Sequence, residues 1–282
     1  MECTFFNLAD KPELIDIYEG MLPRAFGYLA GQTVMTAEDS EGNPVGVLIY
    51  SKDSYIVDIT WLYVVPEARN QGVGRDLVEE LIGFYLDDDE VPEVTCRFPD
   101  AEELSSLKAF FEADDRFNLE AVGNKYSVSP KTVNEAPRIK KLCEAAPGIK
   151  DTLFTLPGNV LHDFLQSDKL RSGYFVYDRE TWETEIAKDL CFCHYDGKKV
   201  TSCIIVSRLS EDRLCVEYMY GLGTDDLRAL LMAAFKEYTM NYKDCSLEFE
   251  VFNPKVEELV KELFGDDIEN RKLLEAVWNY EW

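Results

Sequence analysis

Apolar positions change period several times along the chain, and each change predicts an element. Residues 32–37 form a short strand candidate, and the polar turn Glu41-Gly42-Asn43-Pro44 leads into a second strand at 45–50. A third run at 55–65 is rich in β-branched and aromatic residues. After Pro66 the spacing becomes helical: Val73, Leu77, Val78, Leu81, Ile82 and Tyr85 make one stripe, and the acidic run 87–90 ends it. A strand at 93–98, a helix at 101–112 and a strand at 119–128 complete a mixed α+β unit.

The second half repeats this order. Residues 190–195 and 200–206 flank Asp196-Gly197, whose positive-φ preference predicts a hairpin. A third strand follows at 214–220. Thr224 is the expected N-cap of a helix carrying Leu227, Leu230, Leu231, Ala234, Phe235 and Tyr238, with Asp225 and Asp226 in its first turn. A strand at 245–252, a helix at 254–264 and a last strand at 275–282 close the copy. Strand, turn, strand, strand, helix, strand, helix, strand occurs twice, so the chain reads as an internal duplication. Residues 129–151, with Pro130, Pro137 and Pro147, read as a connector. The expected domains are 1–130 and 131–282.

Composition narrows the function. With 29 Lys+Arg against 54 Asp+Glu among 282 residues the formal charge is −25, which argues against nucleic acid and anionic membranes as partners. No apolar run has the length of a membrane span, and residues 1–7 lack a signal-peptide profile, so the expected setting is the cytoplasm. Eight cysteines without short regular spacing are expected as buried thiols. Cys191-x-Cys193-His194 invites a zinc reading, but both sulfurs fall on one strand face with no second ligand pair in view. No metal site is expected.

One segment carries chemistry. Between the third strand and the first long helix stands Val64-Val65-Pro66-Glu67-Ala68-Arg69-Asn70-Gln71-Gly72-Val73-Gly74-Arg75. Two glycines allow close backbone approach, and a helix N-terminus offers unpaired N–H groups to an anion such as a pyrophosphate. The spacing is neither the dinucleotide fingerprint nor a P-loop. An ordinary strand-to-helix turn also uses glycines in this way.

Hydrophobic strand, Val-x-Pro and then Arg69-Asn70-Gln71-Gly72-Val73-Gly74 opening an amphipathic helix resembles motif A of the GNAT superfamily, the acyl-CoA-dependent N-acetyltransferases. The resemblance covers the order of elements from 32 to 128, and it implies two GNAT-like mixed sheets flanked by helices. It implies acetyl-CoA as cofactor, with the pantetheine arm on the backbone of Leu62, Tyr63 and Val64. The pyrophosphate would lie on Arg69, Asn70, Gln71, Gly72, Val73, Gly74 and Arg75. Asp58 is the expected general base toward a small amine, reasoned to share a strand face with Thr60 and Leu62. Family members often place a tyrosine acid on the helix after the next strand, but here Phe110 and Phe111 stand there. Either Tyr126 supplies the proton, the thiolate leaves unassisted, or activity is weak.

In the second copy, aligning Trp61-Leu62-Tyr63 with Tyr218-Met219-Tyr220 puts Gly221-Leu222-Gly223-Thr224-Asp225-Asp226 at the motif, without its arginine and about four residues shorter. This half is expected to have lost the coenzyme. Two functions are open: an N-acetyltransferase acting through a ternary complex, or an acyl-CoA-binding module with weak or no chemistry.

Overall fold

A computed structural model describes residues 4–7, 10, 14–22, 33–52, 56–86, 93–145, 149, 151–165, 186–221, 223–266 and 268–278. The acidic run 87–90, residues 279–282 and the segments 23–32 and 166–185 lie outside these. In chain order the strands are β1 (Thr4–Asn7), β2 (Thr33–Glu38), β3 (Pro44–Lys52), β4 (Ile56–Val64), β5 (Glu93–Pro99) and β6 (Phe117–Val128), then β7 (Cys193–Tyr195), β8 (Val200–Ser210), β9 (Arg213–Gly221), β10 (Ser246–Val251) and β11 (Glu269–Trp278). The α-helices are α1 (Ile15–Tyr18), α2 (Val73–Leu86), α3 (Ser105–Ala113), α4 (Pro130–Glu135), α5 (Pro137–Ala145), α6 (Gly158–Leu165), α7 (Thr224–Asn241) and α8 (Pro254–Phe264).

The chain forms two compact units, Met1–Val122 with Leu273–Trp282, and Gly123–Lys272. In unit 1, β1 to β4 pair in antiparallel order, β4 runs parallel to β5, and β11 closes antiparallel on β5 with Arg97 opposite Glu275. The last strand of the second copy therefore belongs to the first unit from Leu273 on. It starts at Glu269, earlier than the expected 275; Glu269 to Lys272 are polar, with only Arg271 half-buried, and carry no apolar alternation that marks a strand in the sequence. In unit 2, β7, β8 and β9 are antiparallel, β9 runs parallel to β10, and β10 pairs with the C-terminal half of β6.

Segment 129–145 is not a connector. Ser129 caps α4 by accepting from the Thr132 N–H, and Pro130 and Pro137 occupy first-turn positions, where their missing N–H costs nothing. Ile139 on α5 is buried in the unit 2 core with Leu230, Phe235 and Tyr238 of α7. Helix α7 starts at Thr224 with Gly223 at the cap position, so the expected Thr224 cap shifts by one residue. Cys191, Cys193 and Cys203 lie buried in one cluster with Leu153 and Ile205, and burial pushes the Cys191 and Cys193 thiols up to about 12. No helix among the described residues is long and apolar enough to cross a membrane.

Candidate functional site

The site begins with an irregularity in β4. Opposite β3, Ile49 faces Trp61 while Tyr50 faces Ile59, so Thr60 is an extra residue bulged out of the ladder. A bulge reverses alternation beyond it. Val57 and Ile59 pack in the core beneath α2, and past the bulge Leu62 and Val64 join that same core, whereas Trp61 and Tyr63 pack on the opposite face with Val47 and Ile49. Asp58 therefore shares its face with Trp61 and Tyr63, not with Leu62 as regular alternation predicts.

The bulge coincides with a parting of strands. The parallel ladder of β4 with β5 runs from the Ile56–Glu93 pair to the Ile59–Cys96 pair and ends there. The later part of β4 thus carries residues Leu62, Tyr63 and Val64 past the end of this ladder. Parallel strands separated in this way leave a wedge whose walls are backbone N–H and C=O groups, able to receive an extended chain as an added strand.

At the head of the wedge the chain turns through Pro66–Ala68 and residues 69–72 into α2. Asn70 has φ 59° and Gly72 φ 93°, a left-handed pair that brings successive backbone amides to one side. Any side chain at Gly72 is strained by that φ alone. Gly74 begins the helix under Phe110 of α3, whose Cε2 lies 3.7 Å from the place a Cβ would take. The Asp76 N–H bonds the Gly72 carbonyl at 2.9 Å, and the earlier N–H groups of the first turn have no i−4 partner within the helix and carry its positive end.

Charge around the turn is mixed. Arg69 donates from Nε to the Val64 carbonyl at 3.0 Å, and its guanidinium lies 5.7 Å over the Tyr63 ring. Gln71 donates to the Glu67 carbonyl at 2.7 Å. Arg75 reaches Glu79 at 3.8 Å, and Arg116 reaches the same carboxylate at 3.2 Å. Arg116 also bonds Asp114, holding that carboxyl below its ordinary range. Sequence reading missed Arg116; the Asp114-x-Arg116 spacing at a helix end was its signal. The basic notch is thus three arginines set among Asp76, Glu79 and Asp114.

The structure places the cofactor-loop residues and Asp58 in unit 1 and Tyr126 in unit 2. Asp58, half-buried, accepts from Thr95 Oγ1 at 3.1 Å. Tyr126 belongs to unit 2, where it is 1% exposed and stacked on Phe249 with centroids 5.6 Å apart. Burial first, then Glu257, raises its hydroxyl above the ordinary tyrosine value. Such a group is a poor proton donor, and its packing counts against the role expected of it. On α3, Phe111 is buried between Phe98 and Phe117, and no hydroxyl stands at Phe110 or Phe111.

Unit 2 has the same bulge and the same parting. Ile205 faces Tyr218 and Val206 faces Val216, so Glu217 is the extra residue, and the ladder of β9 with β10 ends at the Val216–Phe249 pair. Beyond it the connection differs: residues 222–223 link β9 to α7, where residues 65–72 link β4 to α2. Leu227 sits so close over Gly221 that a Cβ there would meet it at 2.7 Å. Asp225 and Asp226 occupy the first turn.

Residues 30–112 match the acetyltransferase (GNAT) domain family. No curated protein matches the sequence significantly. Among solved structures, a tandem GNAT protein from the clavulanic acid biosynthesis pathway, determined without AcCoA, superposes with TM-score 0.62 at 15% identity over 98% of each chain. A probable N-acyltransferase from Enterococcus faecalis gives TM-score 0.59 at 12% identity, over 98% of this chain and 72% of that one. The glucosamine N-acetyltransferase region of a fungal multi-domain GH3 β-N-acetylglucosaminidase gives 0.58 at 13%, over 98% and 38%. At these identities the likeness is one of fold. The bulged strand, the glycine turn and α2 thus lie within a segment that matches an acetyltransferase (GNAT) domain, and along its whole length the chain has a fold like that of a tandem GNAT protein.

Proposed function

We propose that the first half transfers an acetyl group from acetyl-CoA to a small amine, in a ternary complex, in the cytoplasm. The observation that carries this reading is the end of the β4–β5 ladder at Ile59–Cys96, directly before a left-handed glycine turn and a helix N-terminus. A pantetheine arm fits the wedge as a strand along Leu62, Tyr63 and Val64. The pyrophosphate then meets the amides from Arg69 to Gly74, with Arg69 and Arg75 beside it. Arg69 exchanges its bond to the Val64 carbonyl for one to phosphate. The glycine turn has an ordinary structural use as well, and acetyl-CoA binding separates the two.

Asp58 takes a proton from the acceptor amine, whose nitrogen attacks the thioester carbon. The oxyanion is held by the N–H of Leu62, the C–S bond breaks, and the coenzyme leaves as its thiol after taking a proton from solvent. Residues 1–130 and 131–282 are the two copies, and the second serves structure or the acceptor pocket in place of coenzyme binding.

The alternative is a module that binds acyl-CoA and turns over weakly or not at all, favoured by phenylalanine at both Phe110 and Phe111. Calorimetry with acetyl-CoA and a thiol-release assay over an amine panel separate them. Binding without turnover on any amine rejects the enzyme. No binding at millimolar acetyl-CoA rejects both and leaves the turn structural.

A further inference from the structure

On the face of the unit 1 sheet turned away from α2, a polar row crosses three strands. Asp58 on β4 accepts from Thr95 on β5. Two residues along β5, on the same face, Arg97 donates from Nε and from one terminal nitrogen to a single oxygen of Glu275 on β11, at 3.1 and 2.5 Å. The Arg97 and Glu275 side chains are only 18% and 15% exposed, so this pair is held partly out of water, unlike a surface ion pair. Arg97 is also the first residue of β5 past the Ile59–Cys96 pair, so it stands where the two strands part. The shared face carries the half-buried rings of Trp61 and Tyr63, stacked at 6.5 Å.

Asp58 and Arg97 thus present opposite charges one strand apart and two residues along, about 8 Å between Cα atoms by sheet geometry. An α-amino acid carries an ammonium and a carboxylate on one carbon, the two charges that a carboxylate such as Asp58 and a guanidinium such as Arg97 respectively bind through charge-assisted hydrogen bonds. We infer that the acceptor is an amino-acid-like zwitterion, its amine at Asp58 and its carboxylate on Arg97. This rests on the acetyltransferase reading of the first half. The planar guanidinium fork matches a carboxylate, Glu275 fixes its plane, and a substrate carboxylate shares or exchanges the bonds the fork makes now. A diamine would set a cation against Arg97, and a simple acid would set its charge against Asp58 and Glu275. Arg97 is the specificity residue, and Glu275 is a positioning residue acting through it.

The test measures kcat/KM for L-α-amino acids, each beside the amine lacking its carboxylate, in the full chain and in Arg97→Ala, Arg97→Lys and Glu275→Gln. The full chain is expected to prefer the amino acid by roughly 10- to 100-fold, through KM, from the worth of a charge-assisted hydrogen-bond pair. That preference falls toward one in Arg97→Ala and is partly kept in Arg97→Lys, which retains charge without the fork. Thermal unfolding and acetyl-CoA affinity identify a variant that has lost its fold; Arg97→Lys and Glu275→Gln then carry the readout. Equal use of the decarboxylated amines by the full chain, or a preference that survives all three substitutions, overturns the inference and leaves the acetyltransferase standing. Acetyl-CoA binding without thiol release on any amine overturns both.

Discussion

The two units keep the same strand irregularity and differ in the connection that leads from it to the helix. Each has one extra residue in the last of its antiparallel strands, Thr60 in β4 or Glu217 in β9, and each parallel ladder ends at the pair just before that residue. The wedge is thus a property of the shared fold. Unit 1 adds the eight-residue turn of 65–72 with its left-handed Asn70 and Gly72, where unit 2 has only 222–223 and a helix seated on Gly221. On the function proposed above, capacity for a phosphate-bearing cofactor therefore resides in the turn. Polarity differs too: one residue past the end of the ladder, unit 1 sets Arg97 opposite Glu275, and unit 2 sets Glu250 opposite Lys125.

The largest effect is expected from ending the chain after Lys272. That removes Leu273, Leu274 and Ala276, all buried in unit 1, and uncovers the edge of β5, while unit 2 keeps every strand from Gly123 to Lys272. Acetyl-CoA binding should disappear and amide exchange protection should survive only in unit 2. Equal loss in both units would break the comparison. Next, Asp58→Asn should lower kcat by about 10²- to 10⁴-fold with acetyl-CoA affinity nearly unchanged, the range for a lost general base. A Kd that moves as much as kcat would place Asp58 in cofactor binding.

Gly72→Glu joins a strained φ to a carboxylate at the anion site, and calorimetry should register a loss of acetyl-CoA affinity of about 100-fold or more. Asp225→Asn with Asp226→Asn, at the matching place in unit 2, should leave that titration with a single site. A second site appearing there would show that charge, and not loop length, silenced unit 2. The smallest effect sits at the second bulge. Burial raises the carboxyl of Glu217, opposed by bonds from Ser207 and Cys215. A carboxyl raised on folding contributes stability below its unfolded value, and that contribution fades as pH climbs through the folded value. Glu217→Gln should flatten this part of the stability profile and raise stability near pH 7, read as the pH dependence of thermal unfolding. Unchanged pH dependence would mean that Glu217 is hydrated.

Elements with clean periodicity were legible in the sequence. The stripe from Val73 to Tyr85 is α2, residues 254–264 are α8, and Asp196-Gly197 turns β7 into β8 with Gly197 at φ 90°. The glycine turn was legible because positive φ and a helix start both select residue types. The bulge was not: one residue inserted into Ile59-Thr60-Trp61-Leu62-Tyr63 leaves a run that is apolar in either register, so the face of Asp58 was misread. Pro130 and Pro137 looked like linker residues because proline both breaks helices and starts them. The Arg97–Glu275 pair was out of reach, since nothing local to either residue names a partner 178 positions away. The alternation Thr95, Arg97 did mark both as facing away from the core.

The placement of β11 has a consequence for biosynthesis. A ribosome makes β1 to β5 well before the strand that β5 requires on its open side, since β11 follows it by about 170 residues. The nascent first unit must wait, with an unpaired hydrophobic edge, while about 170 further residues are translated, roughly 9 to 35 seconds at ordinary elongation rates. Closing a contact of that sequence separation is also slow after release, because the loop entropy is spent before the contact returns it. A stop codon or a proteolytic cut just before Leu273 therefore disables a unit most of whose residues lie more than 150 positions upstream.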